Sequence, residues 1–480
     1  MELHPDYIKE NLEHIGKKEA LVLLKEWINS SSDPKLRQNA LINFGLIDEG
    51  KNFKFFEDLF LSDEDIKIRL IAGKILKENY LQNKRLIPLL DYTLNKLDRV
   101  ELQLFAIKTL NSIKNVKSRK ILIEYLKTFI KKEHILGIQD LLKEILNFNY
   151  NEAIPESILD IFFNLILNEH YTKKYGYHVT LRNGKIISLN CESVNLNRIT
   201  EIKGLENLHN LEHLQLERNN LANIDGIQKL KKLKSLNLSF NKLVKIEKLE
   251  HLKNLEEVHL SNNKISKIEN LDSLINLKKL FLNGNFIEKI ENLTTLINLE
   301  ELNLGHNKIV EIKNLNTLKQ LKRLNLSFNQ IKKIEGFNTL KDLMWLYLND
   351  NEITQITGLT SLLNLKGLYL SNNLIEWIEG IDSLVNLKKI ELSNNKIFKI
   401  TGLNALRNLQ ELYLDNNNIQ RIEELANLES LIMLHLGRNK ISHYRNEYVE
   451  SLKNLNFLFL NENPLDQESW RQFRERFKYP

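Results

Sequence analysis

The sequence predicts an α/β repeat protein, in which an all-α domain precedes a solenoid with a parallel concave sheet. Three observations predict this fold: a 22-residue repeat over the C-terminal two thirds, alternation of apolar and outward residues in each repeat, and a different, helical periodicity before residue 176. Units of this size bury their apolar faces only by stacking on one another, so a long array of them forms a solenoid.

The 22-residue repeat keeps one register from LEHLQLERNNL at Leu211 to LQELYLDNNNI at Leu409, and two further units begin at Leu431 and Leu455. Its LxL segment alternates with period two and predicts a short strand. The second half is apolar at every third residue, which predicts 3₁₀-like or extended turns on the convex side. The twelve units, preceded by a degenerate one, resemble the leucine-rich repeat, LxxLxLxxNxI followed by IxxLxxL.

Each unit carries an asparagine at the point where the strand turns away, as Asn351 does. A buried asparagine offers two donors and an acceptor, enough to satisfy backbone groups of its own turn and of the neighbouring one. We therefore expect these asparagines to be structural rather than catalytic.

Both ends of the array carry signals for a cap. Asn183-Gly184 lies between two apolar-rich runs and predicts a hairpin. At the other end, Asp466 is placed to begin a short helix with Trp470, Phe473 and Phe477 on one face. The predicted organisation is a helical domain at 1–175, a capping hairpin and degenerate first repeat at 176–208, the solenoid at 209–465 and a C-terminal helical cap at 466–480.

The first 175 residues consist of amphipathic segments such as KSRKILIEYLKTFIKK. A weaker repeat is visible in DPKLRQNALINF, DEDIKIRLIAGKIL and DRVELQLFAIKTL, where Ala40, Ala72 and Ala106 each follow an acidic turn. Small residues at this spacing resemble those of HEAT-like repeats, in which helix pairs stack closely. The resemblance implies a HEAT-like helical domain.

Composition and motifs point away from catalysis. The 68 basic and 62 acidic residues are interleaved, with a formal net charge of +6, which argues against a nucleic-acid or membrane patch. The histidines have no metal-ligand spacing, no phosphate-binding loop is present, and Cys191 is expected to be a buried small hydrophobe. We therefore expect no enzyme activity, no cofactor and no metal. The single cysteine, and the lack of an apolar signal sequence at the N-terminus, predict a cytoplasmic protein.

Function is expected on the outward positions of the strands, because the leucines are committed to the core. From Glu257 to Arg323 the outward charges alternate in sign and can pair between adjacent strands. From Trp345 onward, aromatic residues replace them. The predicted protein-binding residues are Trp345, Tyr347, Tyr369, Lys389, Glu391, Glu411, Tyr413, Met433, His435, Phe457 and Phe459.

Two interpretations of this aromatic set are open. The aromatics can simply stack from strand to strand, or they can form a docking surface for a protein partner, which we favour because exposed apolar patches need a partner. Trp377 and Phe398 on the convex side are candidates for a second, weaker contact.

The units LSFNKLVKIEKLEHL and LSFNQIKKIEGFNTL resemble those of the leucine-rich-repeat regulatory subunit of protein phosphatase 1, and the period is also that of the internalins. The first resemblance implies an alternative function, that of a targeting subunit for a phosphatase catalytic subunit. Nucleic-acid binding through Lys-rich turns such as NKISKI is a third, less favoured hypothesis.

Overall fold

The computed structural model describes residues 3–132 and 152–477. Parts of the predicted helical domain (133–151) and of the predicted C-terminal cap (478–480) lie outside the described residues. The chain divides into two compact units, one formed by residues 1–176 with 181–186 and the other by 177–180 with 187–480. The division thus passes through the predicted hairpin.

The first unit is all-helical in its described part before the hairpin. Its helices are α1 (Pro5–Glu10), α2 (Leu12–Ile15), α3 (Lys17–Ser30), α4 (Pro34–Ile47), α5 (Phe53–Ser62), α6 (Ile66–Asn79), α7 (Leu86–Lys96), α8 (Val100–Ser112), α9 (Val116–Lys132) and α10 (Glu156–Glu169), the last continued by a π-helical turn. Asp33 and Asp65 accept hydrogen bonds from backbone N–H groups in the first turns of α4 and α6.

The helices of this unit pack closely where the sequence places small residues. Ala40, Ala72 and Ala106, in α4, α6 and α8, are completely buried. A Cβ added at Gly45 would lie 2.6 Å from the Ile75 side chain, so α4 and α6 approach each other too closely for a larger residue there.

A recurring arginine links the end of one helix to the next in this unit. Arg37 donates to the Ile28 carbonyl and Arg69 to the Phe60 carbonyl, each at 2.8 Å and nine residues back along the chain. These bonds satisfy carbonyls that the C-terminal turn of a helix leaves without partners.

A hairpin of β1 (His178–Arg182) and β2 (Lys185–Asn190) precedes the solenoid. Its turn residues Asn183 and Gly184 both have left-handed φ angles, 51° and 73°, as the Asn-Gly pair predicts. From β2 onward the sheet continues in parallel, with Leu189 aligned with Leu214.

The solenoid places one three-residue strand per repeat into the parallel sheet, which confirms the predicted fold class. These strands are β3 (His213–Gln215), β4 (Ser235–Asn237), β5 (Glu257–His259), β6 (Lys279–Phe281), β7 (Glu301–Asn303), β8 (Arg323–Asn325), β9 (Trp345–Tyr347), β10 (Gly367–Tyr369), β11 (Lys389–Glu391), β12 (Glu411–Tyr413), β13 (Met433–His435) and β14 (Phe457–Phe459). The middle residue of every strand is completely buried. On the convex side, i→i−3 bonds such as Leu230 N–H to the Ile227 carbonyl give the predicted 3₁₀-like turns.

The asparagine ladder holds adjacent turns together. Asn351 Nδ2 lies 3.0 Å from the Leu326 carbonyl of the preceding repeat and 3.1 Å from the Leu348 carbonyl of its own. Its Oδ1 accepts a hydrogen bond from the Ile331 N–H at 3.0 Å. The asparagines are therefore structural, as the sequence predicts.

The last repeat is followed by α11 (Gln467–Phe477). Asp466 Oδ1 accepts a hydrogen bond from the Ser469 N–H at 2.7 Å, which begins the helix. Phe473 is buried against Tyr444 of the penultimate repeat, with the rings at a right angle and 5.7 Å between centroids.

Candidate functional site

The outward surface of the sheet consists of two columns of side chains, the first and the third residue of each strand. Parallel strands lie about 4.8 Å apart, so each side chain contacts the equivalent residues of the neighbouring repeats. The eleven predicted binding residues all fall in these columns on β9 to β14. Ten of them are partly buried, and Phe457, 42% exposed, is the most accessible.

On the N-terminal part of the sheet, charges pair between adjacent repeats as the sequence predicts. Lys278 Nζ lies 2.8 Å from Glu256 and Lys322 Nζ lies 2.7 Å from Glu300. Lys279 and Glu257, the first residues of β6 and β5, are 3.6 Å apart in the column beside these pairs. This part of the surface satisfies its own charges.

The aromatic region begins with Trp345, Tyr347 and Tyr369. The two tyrosine rings stack with centroids 4.4 Å apart and planes 17° from parallel. Trp345 lies across Gly367 of the next strand, where a Cβ would be 2.4 Å from Trp345 Cε3. Burial raises the pKa of Tyr369 to about 12, so its hydroxyl is neutral at physiological pH. The sequence did not single out Gly367, although it interrupts a column of larger residues.

Lys389 connects this stack with the next aromatic group. Its ammonium lies 3.0 Å from Glu391 and 3.1 Å from Glu411, and also 4.7 Å from the centroid of the Tyr413 ring and 5.8 Å from that of Tyr369. Burial alone would lower the pKa of Lys389, but the hydrogen bonds to the two carboxylates outweigh it and raise this pKa well above the ordinary value. The two glutamates and one lysine leave a net charge of −1.

The third aromatic group is a continuous stack of Tyr413, His435 and Phe459. The centroids of Tyr413 and His435 are 4.6 Å apart, and those of His435 and Phe459 are 4.1 Å apart. His435 Nδ1 lies 3.7 Å from Asp415, which the sequence reasoning did not include. Burial lowers the pKa of His435, against the opposing influence of Asp415 and Glu411, so the ring is neutral at pH 7.

Met433 and Phe457 complete the surface beside this stack. The Tyr413 hydroxyl lies 3.0 Å from Glu411 Oε2 and 3.3 Å from the Met433 sulfur. Phe457 pairs in register with Met433. The region thus presents aromatic edges and partly exposed faces around a cluster with an excess of carboxylates.

The geometry bears on both interpretations of the aromatic set, stacking between strands and docking of a partner. Tyr347, Tyr369, Tyr413, His435 and Phe459 do stack between strands, which accounts for their partial burial. Stacking does not account for Phe457, because its ring stands 42% exposed at the edge of the set.

Trp377 and Phe398 form a separate exposed aromatic pair. Their rings are 4.1 Å apart in an edge-to-face arrangement, with 46% and 37% of the residues exposed.

The described residues offer no sign of a metal site: among residues 3–132 and 152–477, no group of three or more His, Cys, Asp and Glu side chains could hold an ion. Cys191 is buried, and burial strongly raises the pKa of its thiol. Over the same two ranges, none of the helices combines the length and the apolar character needed to cross a membrane.

Family models match the repeats directly. A "Leucine-rich repeat" model matches residues 280–392, a "Leucine Rich repeats (2 copies)" model matches 209–254, 231–273, 253–295 and 385–427, and a third, "Leucine rich repeat", matches 407–465. Together they cover residues 209–465 without a gap, more than half of the chain. A search of curated proteins by sequence found no match.

Solved structures of other proteins are similar to this chain over much of its length. An internalin of Listeria monocytogenes is 26% identical, with a TM-score of 0.55, and the alignment covers 69% of this chain and 89% of the internalin. The functional domain of the Listeria protein InlJ is 22% identical with a TM-score of 0.49, over 58% of this chain and 63% of that one. The internalin supports the solenoid architecture.

Proposed function

Because this chain belongs to the leucine-rich-repeat proteins, which in general serve as protein-interaction scaffolds, we propose that it is a non-enzymatic scaffold or regulator. Its docking surface is the C-terminal half of the concave face, formed by the outward residues of β9 to β14. The observation that carries this proposal is the change at Trp345, where self-paired charges give way to aromatic side chains around an acidic cluster.

The composition of this surface suits a protein partner. Tyr and Trp residues provide large contact areas at a low cost in conformational entropy, and aromatic residues framed by polar ones dominate binding energy at interfaces. Tyr347, Tyr369, Tyr413 and Phe459 supply this contact area. The stacks hold their rings in place before the partner arrives, which reduces the entropy lost on binding.

Charge supplies selectivity on the same surface. Lys389 neutralises only one of the two carboxylates that it contacts, and Asp415 adds another negative charge. A basic group on the partner would be attracted by this excess, and Glu391 is placed to select it.

The test uses affinity capture from the native cell, followed by binding measurements with the purified captured protein. Replacing Trp345, Tyr347 and Tyr369 with Ala is expected to weaken binding at least tenfold, while Tyr7→Ala with Tyr92→Ala, which removes exposed aromatics of the helical unit, leaves it unchanged. Thermal unfolding of each variant distinguishes lost contacts from lost structure. Equal affinity for the wild type and the triple variant would disprove the assignment of this surface.

The alternative is a targeting subunit of a protein phosphatase, which rests on the likeness of the repeat units described above. It predicts that phosphatase activity copurifies with the full chain and is lost from the preparation with the triple variant. A partner without phosphatase activity would leave the scaffold proposal standing and remove the alternative.

A further inference from the structure

A second surface lies on the turns that follow the strands. The residue just before each ladder asparagine has a left-handed backbone in all twelve repeats, with φ between 53° at Arg218 and 70° at Gly284. This conformation suits Gly, Asn and Asp, and six of the twelve positions hold one of these. Bulky residues are disfavoured there.

Phenylalanine occupies two of these positions in the N-terminal half. Phe240 has φ 55° and is 45% exposed; Phe328 has φ 57° and is 46% exposed. Neither ring gains much burial in return for the unfavourable backbone. Residues held in a disfavoured conformation for only a small folding benefit are candidates for a functional role.

A third exposed ring lies between them. Phe286 is 47% exposed and stands two residues after Gly284, the turn residue of its own repeat. Phe240, Phe286 and Phe328 thus belong to every second repeat, so they recur at intervals of about 10 Å along the solenoid.

Each ring has a basic or imidazole side chain from an adjacent repeat against one face. Arg218 lies 5.4 Å from the Phe240 centroid and Lys308 5.2 Å from that of Phe286. The imidazole of His306 stacks on Phe328, with centroids 3.9 Å apart.

The turns of this region lack acidic residues. The five segments 239–242, 261–264, 283–286, 305–308 and 327–330 contain no Asp or Glu but include Lys242, Lys264 and Lys308. These three lysines are exposed, and no carboxylate lies within 4 Å of their ammonium groups in the described part of the chain. The next turn reverses the charge with Asp350 and Glu352, so the basic region has a defined end.

We infer that this strip, formed by Phe240, Lys242, Lys264, Phe286, His306, Lys308 and Phe328 and here called the turn strip, is a docking surface for an acidic amphipathic helix of another protein. Charge complementarity selects an acidic partner. In an α-helix, side chains seven residues apart lie about 10.5 Å apart along one face, which matches the interval between the phenylalanines. The turn strip is separate from the concave surface and does not depend on its function.

A single-stranded nucleic acid fits this arrangement less well. Proteins that bind such strands stack successive bases on aromatic faces along a basic groove. Here one face of each ring is already occupied by a side chain of the adjacent repeat, and the rings lie two repeats apart. The helix is therefore the favoured occupant.

The probe is a fluorescein-labelled helical peptide of 21 residues with Leu at three positions seven apart, Glu on both flanks and Ala elsewhere. Its binding to the full chain is followed by fluorescence anisotropy. We expect binding that weakens as salt is raised, at least tenfold weaker binding by the double variant Phe240→Asn with Phe328→Asn, and no fall in the melting temperature of that variant. Asn is the residue that other repeats use at this turn, so the fold is preserved.

Charge is tested separately with Lys242→Glu and Lys264→Glu, which are expected to abolish binding. The matched control, Lys396→Glu with Lys440→Glu, changes the same repeat position in the C-terminal half and should leave binding intact. Failure of the wild type to bind the acidic peptide, equal binding of the same peptide with Lys in place of Glu, or equal binding by the Phe variants would each overturn the inference. Tighter binding of a 20-nucleotide oligothymidine, lost in the Phe variants, would also overturn it and assign the strip to nucleic acid.

Discussion

Trp345 lies across Gly367, the residue aligned with it on the next strand of the sheet. A Cβ at Gly367 would approach Trp345 Cε3 to 2.4 Å and Tyr369 Cε2 to 2.9 Å, distances that no relaxed structure contains. The glycine therefore provides the space in which the indole rests at the start of the proposed docking surface.

Gly367→Ala is expected to displace the indole and destabilise the protein by about 1–2 kcal/mol through overpacking. In a Trp345→Ala background the loss of stability should be smaller, because only the 2.9 Å approach to Tyr369 Cε2 remains and a strand alanine is itself more favourable than glycine by about 0.5–1 kcal/mol. Denaturant unfolding of the four proteins of this cycle measures both values. Additive effects would show that the two residues do not interact.

Lys389→Met is expected to lower the free energy of unfolding by about 1–2 kcal/mol, since it leaves Glu391 and Glu411 close together without their shared cation. The raised pKa of Lys389 means that its contribution is complete below the unfolded lysine pKa of about 10.4 and is lost only as pH rises through the higher folded pKa. Unfolding at pH 7 therefore measures all of it.

Lys322→Met is the matched control, because Lys322 has one carboxylate partner, Glu300, and is 49% exposed, against 28% for Lys389. Its cost should stay below about 1 kcal/mol. Equal costs for the two variants would contradict a special role for the Lys389 cluster.

Much of this architecture could be predicted from sequence, because period two within a strand and period 22 between strands fix which residues face outward. The same rules placed Trp345 and Tyr347 beside Gly367 and Tyr369. These rules could not predict which of several neighbouring side chains each outward residue contacts. Charge pairing was expected to stop at Trp345, yet Lys389 pairs with Glu391 on its own strand and Glu411 on the next, since its long side chain reaches both.

The solvent exposure of the outward side chains could not be predicted either, because it depends on how these side chains stack on one another. The alternation of outward residues marks Tyr347 and His435 as outward, but each ring buries much of its face on a neighbour. In the helical unit, the spacing of Ala40 and Ala72 was readable. The hydrogen bond from Arg69 to the Phe60 carbonyl could not be predicted, because it depends on the angle between two helices.

Asn351→Ala is expected to destabilise the solenoid by about 2–4 kcal/mol. The change leaves the buried Ile331 N–H without its acceptor. It also removes one donor from each of the Leu326 and Leu348 carbonyls, which keep Asn329 and Asn373, respectively, as partners. Asn364→Ala removes an exposed bond to the Lys341 carbonyl and should cost less than about 1 kcal/mol. Urea unfolding monitored by circular dichroism compares the two, and a cost as small at Asn351 as at Asn364 would contradict the structural role of the ladder.

Acid should loosen the C-terminal cap. The hydrogen bond from the Ser469 backbone and the contact with His443 lower the pKa of Asp466 to about 2. A carboxylate with a lowered folded pKa stabilises the fold above its unfolded pKa, about 3.9, and this contribution is lost as pH falls toward 2. Unfolding followed between pH 5 and 2 should therefore show a smaller decline for Asp466→Asn, which accepts the same backbone bond without titrating. If the stabilities of the wild type and of Asp466→Asn fall by the same amount over this pH range, Asp466 does not contribute to the acid sensitivity.

Phe328→Asn is expected to leave the protein as stable as the wild type or to stabilise it by up to about 1 kcal/mol. A left-handed backbone costs a bulky residue about 1–2 kcal/mol, whereas the stack on His306 returns about 0.5–1.5 kcal/mol. The reciprocal change, Asn372→Phe, places Phe at the equivalent turn of a later repeat, where φ is 58°, and should destabilise by about 1–2 kcal/mol. Thermal unfolding of both variants shows whether Phe328 stabilises the fold. If Phe328→Asn destabilises the protein, the ring serves the fold. If it does not, selection for another purpose has kept a phenylalanine where asparagine would fit better.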